Sequence, residues 1–259
     1  GMYYFFEQSN KEEKVVVTDT DLTHKAIEFG ETLTYSPTSG LDHAVREEVV
    51  KNLVCRRIPV PAKVLVNDYN YETPTFDISA EAKVSDNGRG DVQIYGEHFL
   101  TKSEGEDLAK VRAEELLCRE QRFHCESTVP FIRPGYQFKL DKHYRSDFNQ
   151  KYLTIDVTHE GSQTAYLLSG IQEALSEVEK EPYYRNSFTA IPAGVQYRSP
   201  VTTEKPRFYG IISAKVDGAG SGEYAELDDQ GRYKVVLPFD LSGRKDGKAS
   251  HWIRMAQPY

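Results

Sequence analysis

Seven histidines are the first residues in this chain that could do chemistry: His24, His43, His98, His124, His143, His159 and His251. No two of them fall at i, i+4, the spacing that puts a pair of imidazoles on one helical face around a metal. His159-Glu160 starts like a zinc-protease helix, but the position that needs the second histidine is Gln163, and Glu160-Gly161 reads as a turn between strands. Gly218-Ala219-Gly220-Ser221-Gly222 has the glycine content of a phosphate loop. No helix with a lysine follows it, so its amides lack the helix N-terminus that would hold an anion, and it reads as a flexible hairpin tip. Nucleophilic serine chemistry needs an elbow such as G-x-S-x-G, and the sequence has none. A carboxylate pair for glycoside hydrolysis is assembled only by the fold, so the abundance of acids decides nothing. Cys55, Cys118 and Cys125 are odd in number and lack metal-ligand spacing, which favours reduced thiols acting as small buried hydrophobes. The 17 tyrosines could stack on sugars, but most alternate with polar residues in strand-like runs, which favours β surfaces and interfaces. Arg89-Gly90-Asp91 lies in a turn signal, Asp86 to Gly90, and reads as part of that turn. The expectation is therefore no catalytic residue, no cofactor-binding residue, no metal site and no cofactor.

Composition narrows the partners. A formal net charge of -8 without a long basic run argues against tracking a phosphate backbone, so no nucleic acid is expected. The sequence contains no apolar stretch long enough to span a bilayer and no charged-then-apolar leader, which implies synthesis and folding in the cytosol and is compatible with later export by a machine. With 259 residues and a hydrophobic fraction of 39%, the chain can fill one large domain or two modest ones. It shows no internal repeat.

The elements that must position these residues are mostly strands. Tyr3 to Asp21 is two β-rich runs around Ser9 to Glu12, a hairpin. Asp42 to Leu53 carries Val45, Val49, Val50 and Leu53 at a spacing that suits helix or strand alike. Lys63 to Val66 alternates, and Phe76 to Val84 follows as another strand. One helix is expected from Ser103, with Ser103 and Glu106 as a capping box. Ala109, Ala113, Leu116 and Leu117 form its apolar stripe, and Lys110, Arg112, Glu114 and Glu115 face away. Four strand candidates come next, Arg122 to Thr128, Tyr136 to Leu140, Tyr152 to His159 and Gln163 to Ser169, read as a meander or barrel with the helix laid on it. Gln172 to Pro182 is an acidic loop. The stretch with Pro192, Pro200 and Pro206 that follows reads as a stiffened linker. Near the end, Asp228 to Gly231 launches a strand over Tyr233 to Phe239, Leu241 to Lys248 is a loop, and Trp252 to Ala256 alternates again.

This last stretch carries a resemblance. The order D-x-x-GR-x-KV-x-x-x-x-D, a polar loop and W-x-R-x-AQP, formed by Asp228, Gly231, Arg232, Lys234, Val235, Asp240, Trp252, Arg254, Ala256, Gln257 and Pro258, resembles the OB segment of the VgrG family, the spike proteins of type VI secretion, and of related contractile phage tail spikes and late control D proteins. Other stretches are similar too: the opening YYFFEQ run, Asn67 to Pro74, the EGEDLAKVRAEEL helix, Arg133-Pro134-Gly135, Tyr184 to Pro200 and Lys205 to Gly210. The resemblance implies a mainly β chain: a β-barrel hub domain with one packed helix over residues 2–200, the later part of the hub, and the incomplete start of an OB-fold spike domain over 201–259. It implies a structural, non-enzymatic role linking a tube to a puncturing tip. The implied partners are copies of itself in a homotrimer, a hexameric tube protein, and effector or spike-tip proteins, with cytoplasmic assembly before secretion or injection. A contractile prophage tail spike is the nearest alternative, and a cell-wall hydrolase or a carbohydrate-binding module a more distant one. Residues from Lys205 onward hold only about three strands in roughly 55 residues, near the lower size for independent folding, so open β edges are expected to lean on the hub or on another copy.

Overall fold

A computed structural model describes residues 1–9, 11–37, 48–70, 73, 75–163, 182–204, 206–220 and 226–256. They form two compact units, Gly1–Val201 and Thr202–Tyr259.

In the first unit, β1 (Tyr3–Gln8) and β2 (Glu13–Thr18) pair antiparallel as the expected hairpin. Period-two alternation sets its faces: Tyr3 and Phe5 point inward and are buried, whereas Tyr4 and Phe6 point outward. The main sheet has seven strands, comprising β3 (Lys25–Ala26), β4 (Thr32–Thr34), β5 (Val50–Arg57), β9 (Gln121–Ser127), β10 (Tyr136–Asp141), β11 (Lys151–Ser162) and β12 (Tyr183–Pro192). Their order is β3-β10-β11-β12-β9-β5, with β4 beside β10. On the inner face, Phe123, Phe138, Leu140, Tyr152, Phe188 and Ala190 form one core with Val50, Val129 and Ile132. The rings of Phe123 and Phe138 flank Tyr152 at centroid distances of 4.8 and 5.4 Å, and the Tyr152 hydroxyl donates to the Phe148 carbonyl at 2.7 Å, so the core's largest polar group is satisfied.

This order corrects three expectations. The strands do not run as a serial meander: β9 pairs β12 and β5, and not β10. Tyr184 to Pro192, expected as linker, is most of β12, whose partners are β11 and β9. That long partner also carries β11 through His159-Glu160-Gly161 as strand, where a turn was expected. Among the described residues a closed barrel ladder is not formed. Instead, the two ends of the sheet meet at one isolated parallel bridge, Tyr35 to Val50, with the Ser36 amide donating to the Val50 carbonyl at 2.9 Å. Asp42 to Glu47 and the Gln163 to Ser169 strand fall outside the described residues, apart from Gln163.

The second layer is a three-stranded sheet, β7-β6-β8, made of β6 (Lys63–Asp68), β7 (Ile78–Lys83) and β8 (Asp91–Tyr95). β8 lies parallel to β6 and was not anticipated from the sequence. It follows the Asp86 to Gly90 turn, where Gly90 takes φ +72 and a Cβ on Gly88 would sit 2.2 Å from the Pro61 carbonyl oxygen. The helix α1 (Lys102–Leu117) packs on this sheet rather than on the large one, burying Ala109 against Val66, Ile78 and Ala80, and Ala113 against Val64 and Val84. Its cap lies two residues earlier than the Ser103–Glu106 expectation. Thr101 Oγ1 accepts the Glu104 amide at 3.3 Å, and Glu104 Oε2 accepts the amides of Thr101 and Leu100 at 3.3 and 2.9 Å. Both registers fit T/S-x-x-E, and the one that also satisfies Leu100 is adopted.

The second unit contains β13 (Lys215–Asp217) and β14 (Lys234–Val236), paired antiparallel. Trp252 to Ala256 contributes one bridge, Ile253 to Tyr233, instead of a full strand. The described residues therefore hold a two-stranded sheet and a bridge, short of the five strands of an OB barrel.

Candidate functional site

The groups with chemical potential are dispersed and engaged locally. His159 Nδ1 and the Tyr184 hydroxyl lie 2.6 Å apart, and Glu160 pairs with Arg185 at 2.6 Å across the β11–β12 ladder. His124 Nδ1 is 3.4 Å from Thr189 Oγ1. Burial lowers the pKa of His24 and His143 from the ordinary imidazole value and raises the thiol pKa of Cys118 and Cys125, which keeps those sulfurs protonated and inert. Among the described residues, no three of His, Cys, Asp and Glu gather as a metal-holding group. His43 lies outside them, as do Ser221 and Gly222 of the glycine-rich tip.

The densest ionic cluster sits on α1, on the face expected to meet solvent. Glu115 is buried and binds two guanidinium groups, Arg112 at 2.8 Å and Arg119. Arg112 also reaches Glu97 at 2.7 Å, and Glu114 pairs with Arg198 at 2.7 Å. Burial works against the Arg112 charge, but Glu115 and Glu97 outweigh it and hold its pKa above the ordinary range. The helix is covered on this side by residues up to Val201, whose amide donates to Glu115 Oε1 at 3.4 Å. Each carboxylate is matched to a cation, and the cluster ties the helix to the chain that covers it.

What the first unit does present is an apolar surface. On the outer face of the hairpin, the cross-strand pairs Tyr4–Val17 and Phe6–Val15 stand side by side, with Tyr4 66% and Val17 64% exposed. The rings of Tyr4 and Phe6 meet edge to face at 5.8 Å. The sequence showed the hairpin, but its two-sided apolar pattern was not read as a contact surface; FF opposite VVV was the available signal.

In the second unit, the motif residues form a stapled turn. Asp228 Oδ1 accepts the amides of Gln230 and Arg232 at 3.0 and 2.8 Å, and Oδ2 accepts Arg232 Nε at 2.5 Å. Gly231 takes φ +68, which the turn requires. Desolvation works against the Asp228 charge, but these donors prevail and lower its pKa. Lys234 lies 4.8 Å over the Trp252 ring and donates to the Gly247 carbonyl at 2.5 Å, while the Val235 amide donates to Ser250 Oγ at 2.9 Å. The motif thus joins the strand to the loop that follows it. Gln257 and Pro258 lie outside the described residues. Phe208, Tyr209, Ile211, Phe239 and Leu241 are each exposed.

These features define a class: a mainly β module with one packed helix and an exposed apolar hairpin face. Among solved structures, its fold is similar to that of an E. coli type VI secretion system component described as resembling the T4 bacteriophage tail proteins gp27 and gp5, with a TM-score of 0.55 at 19% identity, over 97% of this chain and 49% of that one. Residues 1–165 match the phage tail baseplate hub (GPD) family, and the chain belongs to that family. It is also 26% identical over 262 residues to the Pseudomonas aeruginosa type VI secretion system spike protein VgrG4b, covering 99% of this chain and 32% of the relative. With spike protein VgrG1a of the same organism it shares 26% identity over 263 residues, covering 100% of this chain and 39% of the relative. The chain thus spans about a third of the length of these relatives.

Proposed function

We propose that this chain is a structural hub and spike component of a type VI secretion system, coupling the tube of the contractile machine to its puncturing tip. One observation carries the reading: a baseplate-hub family match over residues 1–165 is continued, at similar spacing, by spike-protein similarity through the second unit. Residues 2–200 supply the hub region and residues 201–259 belong to an OB-fold spike domain. The expected partners are copies of the chain in a homotrimer, a hexameric tube protein, and an effector or spike-tip protein. The exposed apolar face of the hairpin supports a role in contacts, since such a face is ordinarily covered by a neighbour. In this reading no side chain is catalytic, and neither metal nor cofactor is required. Assembly takes place in the cytoplasm, before the contractile machine carries the chain outward. Among the described residues, no helix is long and apolar enough to cross a membrane.

The decisive experiment is co-expression with a tube-forming protein, followed by mass measurement of whatever co-purifies. A complex containing three copies of this chain supports the reading; absence of any association with the tube protein, together with measurable cleavage of cell-wall glycan, overturns it. A second reading, a prophage tail hub, is favoured by the phage description of the matched family. Genomic neighbours distinguish the two.

A further inference from the structure

The seam that joins residues 25–35 to the large sheet is short. β3 and β4 lie parallel to β10, with Lys25 opposite Tyr136 and Thr34 opposite Asp141. Beyond the pairings of β3 and β4 with β10, the Ile27 amide donates to the Gln137 carbonyl at 2.9 Å, the Lys139 amide to the Glu31 carbonyl at 2.7 Å, and the Tyr35 amide to the Asp141 carbonyl at 2.8 Å. A buried or half-buried histidine sits at each end.

At the entrance, His24 directly precedes β3. Its Nδ1 donates to the Gly135 carbonyl at 2.7 Å, its Nε2 lies 2.7 Å from the Tyr3 hydroxyl, which is also 3.3 Å from the Thr20 carbonyl, and the ring packs against Tyr3 and Phe5. At the exit, His143 stands two residues beyond β10 and is 4% exposed. Its ring lies 4.3 Å from that of Tyr35, the residue that bridges to Val50, and against Tyr144 and Phe148. Asn149 clamps its backbone, accepting the His143 amide at 2.8 Å and donating to its carbonyl at 3.0 Å. His143 Nδ1 accepts the Arg145 amide at 3.1 Å, so the proton resides on Nε2, which is buried without a partner among the described residues.

We propose that His24 and His143 form an acid-sensitive clasp: neutral, they hold residues 20–35 along β10 and keep the sheet's two ends together; protonated, they release that segment. At His143, a second ring proton would oppose the Arg145 amide, and Nε2 has no acceptor for the added charge. The Arg145 guanidinium already occupies the Phe148 face at 4.1 Å, which further disfavours a cation there. The charged groups facing His143 are Arg145 and Asp147, bound to each other at 2.7 Å and opposite in effect, with the Tyr35 and Tyr144 hydroxyls nearby. Around His24, Asp21 favours the charge, but burial is the larger influence; Tyr3, with Arg198 near it, completes that environment. Burial lowers both pKa values below the ordinary imidazole value. The neutral-state stabilisation is therefore full above that value and is lost as pH falls through the lowered one. Release would uncover Ile27 and Leu33 and free the edge of β10 for another strand.

Hydrogen exchange on the full chain tests this, following the Ile27, Tyr35, Ser36 and Lys139 amides against those of β12, at about pH 7.5 and about pH 5, after correction for intrinsic rates. Seam protection should fall more than about tenfold while β12 holds, and a His24→Gln/His143→Gln double variant should lose the pH dependence. Unchanged seam protection in the natural chain, or the same fall in the double variant, overturns the clasp. Should the double variant fail to fold, imidazole titration by NMR in the natural chain decides: two histidines titrating below the ordinary value in step with seam opening support it, and ordinary titration of either one overturns it.

Discussion

Tyr35 and Val50 form a single parallel bridge, and through it the two ends of the seven-stranded sheet are brought together without a closing ladder. One bridge holds little by itself, so the Tyr35 ring against His143 must carry much of the closure. Tyr35→Ala should lower stability by about 2–4 kcal/mol in urea unfolding and raise exchange at Ser36, whereas Tyr35→Phe keeps the ring and should stay within about 0.5 kcal/mol.

The helix start offers a test of register. Thr101→Ala removes the observed cap and should cost about 1 kcal/mol, while Ser103→Ala should change stability by less than about 0.5 kcal/mol. Thermal melts of the two variants side by side check it; equal losses would count against the Thr101 assignment.

Glu115 holds Arg112 and Arg119 in a largely buried site. Glu115→Ala leaves Arg119 without this partner and Arg112 with Glu97 alone, so a loss of about 3 kcal/mol is expected. Glu104→Asp, confined to the first turn, should cost less. Denaturant midpoints at constant slope provide the comparison.

Gly135 takes φ +83, and a Cβ there would lie 2.3 Å from the Phe5 ring. Gly135→Ala should therefore both strain the turn and push the hairpin outward, lowering stability by about 1–3 kcal/mol. Increased proteolysis within residues 1–20 would report the displacement.

In the second unit, the lowered Asp228 pKa means that its stabilisation is present above the ordinary carboxylate range and is lost as pH falls through the lowered value. Exchange of the Gln230 and Arg232 amides should accelerate on acidification beyond the intrinsic trend, and Asp228→Asn should flatten that dependence. A pH-independent Arg232 amide in the natural chain would contradict it.

Elements with strong local periodicity were legible. The FF and VVV runs gave the hairpin, the stripe Ala109-Ala113-Leu116-Leu117 gave the helix, and the Asp228–Gly231 turn and its motif pointed to the family. The cap register was ambiguous because Thr101–Glu104 and Ser103–Glu106 satisfy the same pattern. β12 was hidden by the nearby prolines, although Pro192 ends the strand and interrupts none of its interior. Arg112 and Glu115 read as a solvent face because nothing local announces that residues up to Val201 fold back over the helix.

The amino-acid order by itself determined how the hairpin strands alternate, where the chain can bend, and which family it resembles, since alternation and positive-φ glycines act within a few residues. Only the tertiary structure decided which strand lies beside which, that Tyr35 reaches Val50, and that His24 and His143 flank one seam. Those facts depend on contacts between residues far apart in the chain, and side-chain periodicity specifies a face without specifying the partner that covers it.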